Sequence, residues 1–162
     1  MKYFILPLAL IALGIATAEP WPIPIPVGEP IYAVPSAHAV RNYWIGVYAE
    51  RFDADPGWLK AISLAENTRG LPRAWSHSRC CVGPMQVNVA VWFGRFHDEC
   101  DGSDLYDPRI NICYGVLIWL EHLHECAEVV ECTLRSYVGQ SWNIAEGNRY
   151  VREVYTNWLE VS

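Results

Sequence analysis

Apolar residues recur along this chain at intervals of three and four, the spacing of helices that bury one face. In SAHAVRNYWIGVYAERF, Ser36 stands at the cap position and Val40, Tyr43, Trp44, Val47 and Tyr48 form such a stripe. Asp55-Pro56 opens a second helix, an acceptor oxygen followed by proline at the first helical position, and WLKAISLAEN places Leu59, Ile62 and Glu66 on one face before Gly70 and Pro72 end it. A further helix is expected over 88–96. The polar loop DGSDLYDPRIN ends in another Asp-Pro start, and INICYGVLIWLEHLHE repeats the amphipathic spacing through Ile112, Val116, Trp119, Leu120 and Leu123. TLRSYVG and RYVREVYTNWLEV supply two more short helical candidates. Only LPRAWSHSRCCVGPMQ, 71–86, breaks the pattern, being dense in turn residues and thiols. The expected fold is mostly α over residues 36–162, with a short irregular, β-hairpin-like insertion.

The N-terminal pattern is different. MKYFILPLALIALGIATA joins Lys2 to a long apolar run and ends in Ala16-Thr17-Ala18, the shape of a signal peptide, so residues 1–18 are set aside from the fold. The competing reading is a retained membrane anchor, in which case alone membrane contact is expected. Residues 19–35 carry prolines at 20, 22, 24, 26, 30 and 35, a density that forbids a helix and favours an extended arm: a spacer from the membrane, or a strap on the domain.

With 162 residues and 52% hydrophobic composition, the chain has the material for one core. The 18 acidic residues outnumber the 12 basic ones, a balance that speaks against nucleic acid as partner. All six cysteines (Cys80, Cys81, Cys100, Cys113, Cys126 and Cys132) follow the signal, so disulfides in a secreted or periplasmic protein are expected. Cys126 and Cys132 bracket a short segment that a disulfide could close, whereas the adjacent Cys80 and Cys81 are expected to reach different partners. The alternative is metal: His77 lies three residues before Cys80, His97 three before Cys100, and His122 and His124 add imidazoles. That spacing matches no standard zinc finger, and no metal or other cofactor is expected.

Glu66 is the polar residue that the pattern places on an apolar face. Loss of hydration penalises its charged form and raises its pKa, which suits a general acid at neutral pH. The ordinary alternative is a helix-end ion pair with Arg69 or Arg73.

Four segments bear on that choice. They are AERFDADPGWLKAISLAEN at 49–67, GPMQVN at 83–88, LYDPRINICYGVLIWLEHL at 105–123, and SYVGQ at 136–140 with YVREV at 150–154. In this order the segments resemble the lysozyme-like domain of soluble lytic transglycosylases, relatives of goose-type lysozyme, over most of residues 38–158. The resemblance implies a disulfide-stapled lysozyme-like fold, with Glu66 as the catalytic residue and peptidoglycan glycan strands as substrate. It also implies that Met85 and Gln86 line the sugar cleft and that Tyr137 contacts and orients Glu66. Ser76, in the insertion, is a further candidate for substrate binding, and Trp75, Trp92, Trp119 and Trp142 are candidates for stacking on sugars. Departures are Asn67 where the family has Ser, Val138 where it has Asn, and about two extra residues between the glutamate and the glutamine.

The implied reaction cleaves the bond between N-acetylmuramic acid and N-acetylglucosamine with formation of a 1,6-anhydro ring, using one carboxyl group as acid and then base. Hydrolytic glycosidases normally need two carboxylates. Between Glu66 and Gln86 the chain has none, and Asp98, Glu99, Asp101 and Asp104 fall in a loop that reads as solvated. The alternatives are a hydrolytic muramidase that draws its second acid from that loop, and a non-catalytic wall-binding or assembly protein. Wall turnover, a secretion or conjugation apparatus and a phage assembly are all settings for the expected activity.

Overall fold

The computed structural model describes residues 36–66, 80–139 and 144–162. These form six helices and one hairpin: α1 (Ala37–Arg51), α2 (Pro56–Glu66), β1 (Cys81–Val82), β2 (Val87–Asn88), α3 (Val89–Trp92), α4 (Pro108–Glu125), α5 (Val130–Tyr137) and α6 (Ile144–Val161). The signal peptide and proline arm assigned to 1–18 and 19–35 lie outside the described residues. So do Asn67, Arg69, Gly70, Pro72, Arg73, Trp75, Ser76, His77 and Trp142.

The helix starts follow the capping chemistry in the sequence. Ser36 Oγ accepts from the Ala39 amide at 3.1 Å, Asp55 Oδ1 from Gly57 at 2.7 Å, and Asp107 Oδ1 from Arg109 at 2.8 Å, each satisfying a donor that has no partner within its helix. The expected third helix is shorter than 88–96. Asn88 caps it, but it stops at Trp92, and Gly94 follows at φ +76°, which α-helix does not allow. The last helix is longer than expected, at 18 residues.

Two expected faces are corrected. On α1 the buried residues are Arg41, Ile45, Tyr48 and Ala49, while Tyr43 is 62% exposed. Aromatic and aliphatic residues surround this helix on most sides, so spacing alone left its rotation undetermined, and packing against α4 selects the Ile45/Ala49 side. Helix α4 is not amphipathic over its first half: Ile110 to Val116 are buried without interruption. A helix buried all round is the centre of a domain. α1, α5 and the hairpin surround α4, and α2 packs on both α1 and α6. The α2–α6 contact is anchored by Trp58 stacked on Trp158, ring centres 4.9 Å apart, and by Asn157 Nδ2 donating to the Ala61 carbonyl.

The cysteines form three pairs. Cys126–Cys132 joins the end of α4 to α5, as the short bracketed segment suggested, and Cys100–Cys113 ties the 93–107 loop to α4. Closing the latter loop is worth about 3 kcal/mol in the chain-entropy account. The third pair overturns an expectation: Cys80 and Cys81 are bonded to each other, their Cα atoms 3.7 Å apart. Once the other four cysteines are matched within their own loops, these two have each other. Three bonded pairs are the pattern of a chain that matures in an oxidising compartment. Among the described residues no helix is long and apolar enough to cross a membrane.

The hairpin pairs Cys81 with Asn88 and Val82 with Val87 in antiparallel register, joined by a turn at 83–86. Side chains from α2, α4 and α5 hold that turn. Asn111, fully buried in α4, accepts from the Met85 amide at 2.9 Å and donates to the carbonyls of Val82 at 2.9 Å and Leu105 at 3.1 Å. Ser63 Oγ on α2 donates to the Pro84 carbonyl at 2.9 Å, and Tyr137 OH on α5 to the Met85 carbonyl at 3.0 Å. Gly83 lies at φ +75° against Asn111, and an added Cβ there would come within 2.4 Å of it.

One amide side chain thus satisfies three backbone groups in the interior. Asn111→Ala should therefore destabilise the protein by about 3 kcal/mol, since the freed donor and acceptors stay buried. Urea unfolding at neutral pH reads this directly; a loss under about 1 kcal/mol would mean that the turn is held by other contacts.

Candidate functional site

Glu66 ends α2, and its side chain borders a cleft of about 570 Å³. The preceding helical turns bury Leu59 and Ile62 completely, which fixes the rotation of the helix and carries Glu66 to the rim of the core. Part of the residue still reaches solvent, but its carboxyl group lies among side chains of α2, α5 and α6. Burial, the largest influence, pushes its pKa from 4.5 up to about 7; a hydrogen bond from Tyr150 opposes this, and the negative charge of Glu153 adds to it.

The hydrogen bond comes from an unexpected tyrosine. Tyr150 OH on α6 donates to Glu66 Oε1 at 2.7 Å. Tyr137, the residue expected to orient the glutamate, donates instead to the Met85 carbonyl, and its place in the site is on the cleft wall. The reason is geometric: α6 packs on α2 and brings Tyr150 to Glu66, whereas Tyr137, at the C-terminal end of α5, meets the hairpin turn. Both tyrosines have pKa values well above the usual range, through burial first and the nearby Glu66 charge second, so both are hydrogen-bond donors at any physiological pH. A sequence signal for Tyr150 existed: with Gly147, Val151 and Val154 it occupies the buried stripe of α6.

Gln86 borders the cleft as expected. It occupies a left-handed conformation, φ +46°, which is unfavourable for a residue with a Cβ. Two bonds to one acceptor hold it there, since its own amide N–H (3.1 Å) and its side-chain Nε2 (2.8 Å) both donate to the Gly83 carbonyl. Strain of this kind gathers at ligand-binding turns. Met85 is a correction. It is fully buried and is not among the residues bordering the cleft; its side chain fills the space left by Gly115, where a Cβ would come within 2.5 Å of it. A methionine next to a cleft glutamine looks like a cleft residue in sequence, but the turn sends Met85 into the core and leaves Gln86 at the cleft.

Trp92 borders the cleft, with His122 edge-on to it at 5.9 Å, while Trp119 is core, stacked on Trp58. Asp98, Glu99, Asp101 and Asp104 are exposed and none borders the cleft. Glu66 is the one acid among the described residues that border it, and the segments 67–79 and 140–143 contain no Asp or Glu. Among the described residues there is no cluster of three or more metal-ligating side chains.

Comparison with protein-family models, with curated proteins and with solved structures finds no match for this chain.

A raised carboxyl pKa has a measurable consequence for stability. The fold favours the neutral form of Glu66, so this group's contribution is complete below pH 4.5, falls as pH rises, and is lost above pH 7. The shift corresponds to at most about 3 kcal/mol. Glu66→Gln keeps an acceptor for Tyr150 and removes the charge. Its stability relative to wild type should therefore improve by up to about 3 kcal/mol between pH 4 and pH 8.5, measured by urea unfolding at both. A difference that does not change with pH would remove the burial argument.

Proposed function

We propose that this chain is a lytic transglycosylase with a lysozyme-like fold, exported to act on the glycan strands of peptidoglycan. The observation that carries the reading is Glu66, a buried carboxyl with a pKa of about 7 on the edge of a 570 Å³ cleft that has no second acid among its described lining residues. The largely helical fold with one small hairpin and three disulfides is consistent with it. A group with this pKa is divided between its two forms at neutral pH, and so can both give and take a proton within one turnover.

The reaction then needs no group beyond Glu66 and the substrate. With Oε1 held by Tyr150, the acid's proton is presented from Oε2 to the oxygen linking N-acetylmuramic acid to N-acetylglucosamine. The bond from that oxygen to the muramyl ring carbon breaks, and the oxygen leaves as the free hydroxyl of N-acetylglucosamine. The neighbouring N-acetyl group stabilises the charge that builds on the ring carbon. Ionised Glu66 next takes the proton of the muramyl 6-hydroxyl as its oxygen bonds to the ring carbon. The 1,6-anhydro ring is closed, Glu66 is neutral again, and no water is consumed. Gln86 contacts the sugars, and the bond from Tyr137 to Met85 fixes the 83–86 turn that carries it against α5. Hydrolytic glycosidases normally use a second carboxylate near the scissile bond, and none is present among the described residues that border the cleft.

Purified sacculi digested with the protein test the reading, with released fragments weighed by mass spectrometry. The expected products end in 1,6-anhydro-muramic acid, and Glu66→Gln should lose about 100- to 10,000-fold in rate while folding normally. Fragments with reducing ends would replace the transglycosylase by a muramidase. Binding to sacculi with no release of fragments by wild type would leave a non-catalytic wall protein.

A further inference from the structure

We propose that the Cys80–Cys81 disulfide is a glycan-contacting element of the cleft, an apolar surface against which the C–H face or acetamido methyl of an N-acetylhexosamine rests. This rests on the reading of the cleft as a glycan site.

Two observations lead to it. First, a disulfide stabilises a fold by closing a loop, and bonding neighbours in sequence encloses almost none, unlike the pairs separated by 13 and 6 residues. A role as a staple therefore does not account for it. Second, Cys81 and its partner Asn88, at the open end of the hairpin, border the cleft together with Cys80 and Val87. The bond ties these two neighbouring cysteines into one unit at the edge of the cleft. The Val89 amide, donating to the Cys80 carbonyl at 3.0 Å, fixes the start of the strand.

The surroundings fit an apolar ligand face. Val91, Trp92 and Ile118 border the same cleft. Sulfur is polarisable and weakly hydrated, so a disulfide offers dispersion contact without requiring hydrogen bonds. Two hydroxyls at these positions would be hydrated, and without the bond the two side chains would no longer be tied into one unit.

Calorimetric titration of the full chain with the N-acetylglucosamine tetramer tests the assignment, in a Glu66→Gln background so that no turnover occurs. Adding Cys80→Ser and Cys81→Ser together should weaken binding about tenfold, the loss expected from one apolar contact patch. The melting temperature should stay within about 3 °C, because no loop has been opened. Unchanged affinity, or weaker binding with a fall in melting temperature above about 10 °C, would overturn the assignment, the latter by making the bond a staple. If Glu66→Gln with its disulfides intact does not bind the tetramer, the glycan reading of the cleft fails and this inference fails with it.

Discussion

The site depends on a carboxyl group whose surroundings, among the described residues, are apolar and phenolic rather than cationic. Glu66 ends a helix whose preceding turns are sealed into the core, and its hydrogen-bond partner among the described residues is a neutral hydroxyl from α6. A salt bridge would have lowered its pKa and left a permanent carboxylate; a phenol donating to one oxygen only moderates the effect of burial. The chemistry therefore depends on α2 and α6 lying together, and the residues that align them, Trp58 on Trp158 and Asn157 on the Ala61 carbonyl, belong to the site's support.

Gln86, which borders the same cleft as this acid, is carried by a turn of buried backbone. The turn at 83–86 has little regular structure of its own, with two residues on either side forming the hairpin, and would be a loose loop were its polar groups not taken up by Ser63, Asn111 and Tyr137. Three helices converge on these few peptide groups. The left-handed backbone of Gln86 follows from that arrangement, and a glutamine so restrained loses little further freedom when it meets a ligand. The two tyrosines divide the work: Tyr150 holds the acid, and Tyr137 holds the turn.

Much of this was legible in the sequence because it follows from local rules. Ser36, Asp55-Pro56 and Asp107-Pro108 announced three helix starts, and Leu59, Ile62 and Glu66 announced the acid's place on the buried face of α2. The errors arose where local rules are silent. The rotation of α1 is set by what it packs on, and its aromatic residues mark several faces at once. Tyr150 and Tyr137 both sit near segments with the right pattern, and only the packing of α6 on α2 decides which hydroxyl reaches Glu66. Met85 and Gln86 are neighbours whose different surroundings depend on a turn that the sequence does not specify by itself. The bond between Cys80 and Cys81 runs against the usual avoidance of adjacent pairing.

The central claim is that Glu66 is neutral over a pH range in which most carboxyl groups are charged. Titration of its side-chain carboxyl carbon by NMR, in protein labelled with carbon-13 at glutamate and assigned by comparison with Glu66→Gln, measures this without reference to any substrate. The account predicts a midpoint of about 7. A midpoint near 4.5, as for a carboxyl group in water, would contradict it.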